Sequence, residues 1–303
     1  MVLAGLLGGC GRSTLDREAI DMLFALDPRS AAPRSATPAM RELGAQLFAQ
    51  SLGVAACTQC HVPGTFGQDG SNHGRNTPVL ADVARQLVLG WDGAGSSLEG
   101  MVATELRVRG GIADDADARR LLTREPGLQV AFEAAFAGES ASAARLVQAL
   151  VLYLDEWRTR GRWDRYVEGD DAALTEAEQH GLAVFVEVGC AACHAGRTLG
   201  GRSRHRLGAA VPFATADTGL HAVTGREADR FFFKAPMLRL AACTGPYLHD
   251  GSVAELEATV RLMAKHELGV VITAEQTDAI VTFLRAAADT DSAASRGPAQ
   301  RHQ

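Results

Sequence analysis

Two short stretches combine a pair of cysteines and a histidine at a spacing that suits one kind of chemistry. They are Cys57-Thr58-Gln59-Cys60-His61 and Cys190-Ala191-Ala192-Cys193-His194. In CxxCH both thiols add to the vinyl groups of one haem, and the adjacent imidazole is presented to its iron. Two intervening residues suit a single helical turn, which lets both sulfurs reach the vinyls and sets the histidine beneath the ring. A lone CxxC serves equally as a zinc half-site or a redox dithiol. Two copies, each with the immediate histidine and each behind a matching helix-like stretch, favour two covalent c-type haems with His61 and His194 as proximal ligands. Each iron then takes a sixth ligand or keeps an open site. A methionine there suits electron transfer, whereas an open site admits peroxide.

His73 lies between the first motif and "GRNTP", in a Gly- and Asn-rich loop. Two accounts of it stand: it closes the other face of the His61 haem, or it is an exposed loop histidine.

The elements that must position these groups are helical. Alanine and glycine are abundant and alternating Val/Ile runs are scarce, so the expected class is mainly α. A length of 303 residues allows about two domains. The formal charge of −6, with no basic cluster outweighing the acids, excludes a nucleic-acid-binding surface. Of six cysteines, four belong to the CxxCH motifs and Cys243 stands alone. Cys10 closes "MVLAGLLGGC", which resembles a bacterial lipoprotein box, so export and lipidation of Cys10 are expected. A truncated plain signal peptide is the other reading, and it exports the chain too. No other run approaches the ~20 apolar residues of a membrane span, which leaves the lipid anchor as the membrane attachment.

The expected layout is a signal segment over 1–10, a tether over 11–37, one domain over 38–163, a second over 164–288, and a disordered tail over 289–303. The tether reading follows from the Pro, Ser and charge of "DPRSAAPRSATP". The polar "RTRGRWDRYVEGDDAA" reads as the connection between domains, and the tail reads as low in apolar residues from Ala286 onward. "PAMRELGAQLFAQS" and "SAARLVQALVLYLDEW" have helical spacing, the latter with Leu146, Ala149, Leu150 and Tyr153 on one face. Thr175 with Glu178 forms a capping box ahead of the second CxxCH. Ser252/Glu255 and Thr273/Gln276 mark two further helix starts. Both halves carry G-x-x-[LV]-F before their cysteines, Gly44 to Phe48 and Gly181 to Phe185, so two related modules are expected.

Further stretches resemble one family. "GRNTPVL" (74–80), "WDGAGSSLE" (91–99), "GCAACHAG" (189–196), "VTGREADRFFFKAPMLR" (223–239), "TGPYLHDGSVAELE" (244–257) and "LMAKHELG" (262–269) are similar to segments of the bacterial di-haem cytochrome c peroxidases and their MauG-type relatives. The resemblance runs from residue 38 to about 286. It implies two cytochrome c-like domains, each with one covalent c-type haem, the N-terminal haem peroxidatic and the C-terminal one an electron relay. Met263 falls where the relay haem takes a methionine and MauG-type members carry tyrosine; as an ordinary residue it would share a core face with Leu256 and Val260. Trp91 matches a tryptophan between the haems, or else fills the domain interface. Asn76, with the carbonyls of Thr244 and Pro246, matches an inter-domain calcium site, although Asn-Thr-Pro is also an ordinary turn. His249 matches a position near the haems, suited to a hydrogen bond with a propionate.

The departures lie at the peroxide site. A glutamine is expected after "SLE", where this chain has Gly100-Met101; a glutamate is expected about ten residues on, where it has Arg109-Gly110-Gly111. Peroxide cleavage wants a group that moves a proton between the two oxygens. Glu105, Asp114 or Asp115 could take that place, or Arg107 or Arg109 could polarise the peroxide. The resemblance implies reduction of hydrogen peroxide to water with electrons from a small cytochrome c or cupredoxin, in a periplasmic protein that can form a homodimer. MauG-like oxidation of a partner-protein residue, and a di-haem electron carrier or sensor, are the competing readings.

Overall fold

The computed structural model describes residues 14–25, 34–53, 55–67 and 74–290. Its helices are α1 (Arg17–Phe24), α2 (Pro38–Ala49), α3 (Leu98–Val108), α4 (Asp115–Arg124), α5 (Pro126–Ala135), α6 (Ala143–Asp155), α7 (Arg162–Val167), α8 (Glu176–Val188), α9 (His221–Thr224), α10 (Leu256–Leu268) and α11 (Ala274–Ala288). Among the described residues the sheet content is one antiparallel ribbon, β1 (Arg204–Arg206) with β2 (Phe232–Lys234), registering Arg204 with Lys234. The chain is mainly helical, as its composition predicts.

Two hydrophobic cores form. The first gathers Leu43, Leu47 and Phe48 of α2 with Leu146 and Leu150 of α6 and Trp157 beyond it. The second gathers Leu182 and Phe185 of α8 with Ile280 and Phe283 of α11 and Trp163 of α7. The repeated G-x-x-[LV]-F explains both. A methyl group at Gly44 would stand 2.3 Å from the Ala149 carbonyl oxygen, and one at Gly181 would stand 2.1 Å from that of Ala279. Glycine therefore lets α2 close on α6, and α8 on α11, to backbone contact. The phenylalanine four residues on shares the glycine's helix face. Phe48 meets Tyr153 and Trp157 at ring distances of 5.4 and 5.7 Å, and Phe185 meets Phe283 at 5.5 Å. Caps fix the starts: Thr37 accepts from Met40 N–H, and Thr175–Glu178 and Thr273–Gln276 form reciprocal boxes.

Four expectations need correction. Within the supposed tether, Asp16 caps α1, and Leu15, Ala19, Ile20 and Phe24 are buried in the second core, with Phe24 edge-on to Trp163 at 5.3 Å. The flanking Pro and Ser concealed a short amphipathic turn. Within the polar connection, α7 buries Trp163 and Tyr166 in that same core, and its Asp164 is buried with them because Arg239 and the Gly161 N–H satisfy its carboxylate. Ser252 does not start α10; its N–H donates to the Asp250 carboxylate, and Glu255 precedes the helix without a side-chain cap. The tail does not begin at Ala286, since Ala286 to Ala288 are buried in the last turn of α11 and Thr290 bridges to Gly161. Residues 291–303 lie outside the described part.

Candidate haem-binding site

Each CxxC forms a single tight turn, Cys57–Gln59 and Cys190–Ala192. The His61 N–H donates to Cys57 O at 2.8 Å and the His194 N–H to Cys190 O at 3.0 Å, which places each imidazole directly after its cysteine turn. His61 Nδ1 lies 2.7 Å from Gly67 O, and His194 Nδ1 lies 3.0 Å from Pro236 O and 3.3 Å from Leu199 O. A carbonyl only accepts, so Nδ1 carries the proton and Nε2 is the lone-pair nitrogen in both rings. Burial pushes His194 down to about 4, which keeps it neutral as metal ligation requires. Burial pushes the thiols of Cys57 and Cys190 up to about 11 and 12. Gly200, at φ +122°, is indispensable here: a methyl would stand 2.2 Å from Pro236 O and 3.0 Å from His194 Nδ1. The donor set of thiols one turn apart and a neutral, oriented imidazole fits a c-type haem. Among the described residues no cluster of three His, Cys, Asp or Glu suits a bare metal ion, so neither CxxC finds the other half of a zinc site.

Between the two cores the chain builds a cradle around Trp91. Trp91 Nε1 donates to Asn76 O at 2.7 Å, and Trp91 O accepts from Lys234 N–H at 2.9 Å. Leu89 and Gly95 pair across the neck of the loop, and Arg204 donates to Gly93 O. Arg75 spans the loop's edge. It donates to both oxygens of Asp217 at 2.7 and 3.0 Å, and to Asp92 at 2.6 Å. Those carboxylates raise the Arg75 pKa further above its ordinary value, Asp217 most. Two residues beyond Lys234, Pro236 O receives the His194 proton. The three residues Lys234 to Pro236, at the end of β2 and just beyond it, therefore both touch Trp91 and orient a proposed iron ligand.

Asn76 is buried at 4% exposure. Its N–H donates to His249 O at 2.8 Å, and its Nδ2 to Pro246 O at 2.6 Å and Leu248 O at 3.3 Å. Its Oδ1 is buried with no hydrogen-bond partner among the described residues. A buried amide oxygen left without a donor is the kind of oxygen ligand that calcium takes. Thr244 is buried in the same segment, its hydroxyl donated to Leu240 O at 2.9 Å. His249 packs on Phe233 at 4.5 Å with Nε2 3.1 Å from Thr215 Oγ1, and burial lowers its pKa.

Met263 is half-buried on α10. Leu256 and Ala264 belong to the second core and Val260 packs against it, whereas Met263 is not among the hydrophobics gathered there. One turn on, Glu267 acts electrostatically on Cys193, so this side of α10 faces the second CxxCH. Glu105 and Arg109 pair with each other at 3.0 Å on an exposed face of α3. The end of α3 packs on Gly53, ahead of the first CxxCH, and both charges act on Cys57. Met101, where a glutamine was expected, lays its methyl against Gly90 and Gly95 under the Trp91 loop. His73 and Cys10 lie outside the described residues.

Sequence reasoning missed the charged residues of the interface. Arg75, Asp92 and Lys234 all sit inside the segments quoted for the family resemblance, but nothing in one dimension pairs them with Asp217 or Gln86. Arg239 closes "KAPMLR" fully buried; it donates to Thr159 Oγ1 at 2.5 Å and to Asp164, with Asp82 3.6 Å away.

Comparison with known proteins agrees with this geometry. A family model described as di-haem cytochrome c peroxidase matches residues 38–172. The cytochrome c551 peroxidase of Nitrosomonas europaea is 29% identical over 263 residues, covering 81% of this chain and 79% of that protein. That of Pseudomonas aeruginosa is 30% identical over 276 residues, covering 80% and 77%. Among solved structures, a MauG-like protein associated with microbial copper homeostasis aligns with a TM-score of 0.73 at 25% identity, over 90% of this chain and 97% of that one. With a relative 30% identical over four-fifths of its length, the chain belongs to the di-haem cytochrome c peroxidase family.

Proposed function

We propose that this protein is a peroxidase that reduces hydrogen peroxide to water with electrons from a small redox protein. The carrying observation is the Trp91 cradle, which both halves of the chain hold at the contact between the two CxxCH modules. A haem on Cys57 and Cys60 supplies the iron at which peroxide is bound and cleaved, and one on Cys190 and Cys193 relays electrons to it. The chain's residues do the rest. Gly67 O orients His61, and Pro236 O and Leu199 O orient His194. Met263 would hold the iron on the relay side together with His194, which its place one turn before Glu267 supports. Trp91 carries electrons between the modules. Each turnover consumes one peroxide, two electrons and two protons and releases two waters. Arg109 and Glu105, paired beside the first module, are the groups best placed to polarise peroxide and shuttle its proton. Asn76, Pro246 and Thr244 would hold a calcium ion, and His73 would gate the first iron.

The remaining readings rest on the sequence. The protein is exported and anchored through a lipid on Cys10, its donor is a small cytochrome c or cupredoxin, and it can form a homodimer. No described helix is long and apolar enough to cross a membrane. The deciding experiment is peroxide turnover by purified, calcium-loaded protein after one-electron reduction, with EPR of both haems. Negligible turnover with both haems present refutes the peroxidase reading. Two low-spin haems that never bind cyanide or peroxide would instead make it an electron carrier. One observation favours MauG-like chemistry: of the acids that could replace the missing glutamate, Glu105 is already tied to Arg109, Asp114 caps α4 and Asp115 accepts from Ala143 N–H. A covalently oxidised residue in a co-purifying protein would establish it.

A further inference from the structure

Lys234 ends β2 at the contact between the two modules and is 8% exposed. Its Nζ donates to Gln86 Oε1 at 3.0 Å, and among the described residues this neutral amide is its sole side-chain partner. No described carboxylate is in ion-pair contact with it, and Asp92, which acts on it from a distance, is engaged by Arg75. A buried ammonium without an anion is costly, and proteins avoid it. The other buried cation of the same segment shows the ordinary solution, since Arg239 sits against the carboxylates of Asp164 and Asp82. Among the described residues, Lys234 therefore has an acceptor but no counter-charge.

The anions that the family's cofactors bring are the propionate carboxylates of the haems. Lys234 is well sited for one, because its segment reaches both modules: its N–H bonds to Trp91 O, and Pro236 O, two residues on, receives the His194 proton. Gln86, from the first module, steadies the ammonium from the other side. We propose that Lys234, supported by Gln86, is the seat of a haem propionate at the contact between the two modules. The carboxylate comes from the haem at His61 or the haem at His194. The charge pair holds that haem's potential up, because reduction adds negative charge beside a fixed cation.

The test is spectroelectrochemical titration of both haems in the purified holoprotein, with haem content counted first. Fewer than two haems in the wild-type chain overturns the di-haem reading on which this rests, before any variant is made. Lys234→Met is expected to shift the reduction equilibrium of one haem about tenfold toward the oxidised form, about 59 mV lower for one electron. Whether the low-spin relay haem or the other moves identifies the source of the carboxylate. Lys234→Arg should restore the potential, and Gln86→Leu, which keeps the ammonium, should move it far less. A merely structural role would not give that order. Unchanged potentials in fully loaded Lys234→Met, or in Lys234→Gln should the first variant fail to load, overturn the proposal. So does a crystal structure of the wild-type holoprotein with Nζ beyond about 4 Å from every propionate oxygen.

Discussion

Arg75 is the clasp whose removal most directly tests how Trp91 is held. Its guanidinium forks onto Asp217 and reaches Asp92, and the three side chains are 29%, 21% and 18% exposed. Charge-assisted hydrogen bonds contribute about 1.5–3 kcal/mol each when protected from water. One guanidinium shared among three bonds and partly open to solvent contributes less than their sum, so Arg75→Gln should cost about 2–3 kcal/mol at the contact. At 1.4 kcal/mol per decade, that favours local opening by roughly 30–150-fold. The assay is hydrogen exchange of the Trp91 loop together with the rate of electron transfer between the haems after one-electron reduction. Exchange should accelerate and transfer should slow, with haem content unchanged because Arg75 touches neither CxxCH. Burial pushes the Asp217 carboxyl up, but the Arg75 bond, the Gly219 N–H and the nearby positive charge together more than offset it, so the folded value lies below the ordinary one. The clasp is therefore complete above the ordinary carboxylate range, weakens as pH falls through the folded value, and this acid sensitivity should vanish in Arg75→Gln. Arg75→Lys keeps the charge but cannot fork, and should fall between. Wild-type exchange in Arg75→Gln would refute the reasoning.

Gly181→Ala should lower the melting temperature by the equivalent of about 1–3 kcal/mol, since its methyl meets the Ala279 carbonyl. Gly127→Ala, in α5 with open space around it, should be neutral or stabilising by about 0.4–1 kcal/mol, and equal melting of the two variants would contradict the helix-crossing account. Asn76→Ala should abolish saturable calcium binding measured by calorimetry while keeping the Trp91 bond, which uses the Asn76 backbone carbonyl; undiminished affinity would remove Asn76 from the site. The bond from Arg160, then that from Arg197, holds Glu168 down at about 2 against its ordinary 4.5. Its contribution is thus present above about pH 4.5 and lost toward pH 2, and Glu168→Gln should flatten urea-melt stability across that window.

The chemistry that lives within one turn of chain was legible in the sequence. CxxCH, the Thr175 and Thr273 boxes, and the Gly and Phe of the repeat depend on residues at most a turn apart, so spacing alone exposes them. Local competition misled the reading at Ser252, where Asp250 captures the backbone, and composition misled it at Trp163, whose neighbour Asp164 is buried against Arg239, 75 residues away. Only the tertiary structure could decide who neutralises whom. Arg75 and Asp217 are 142 residues apart, and Lys234 and Gln86 are 148. Neither pair has a helical or strand period to announce it, and each forms only when the two modules close. Among the described residues, the same closure left Asn76 Oδ1 without a donor and Lys234 without an anion. The sequence by itself determined which cofactors the chain can attach, because attachment is local. The packed chain decided where charge is left unmet, because burial is not.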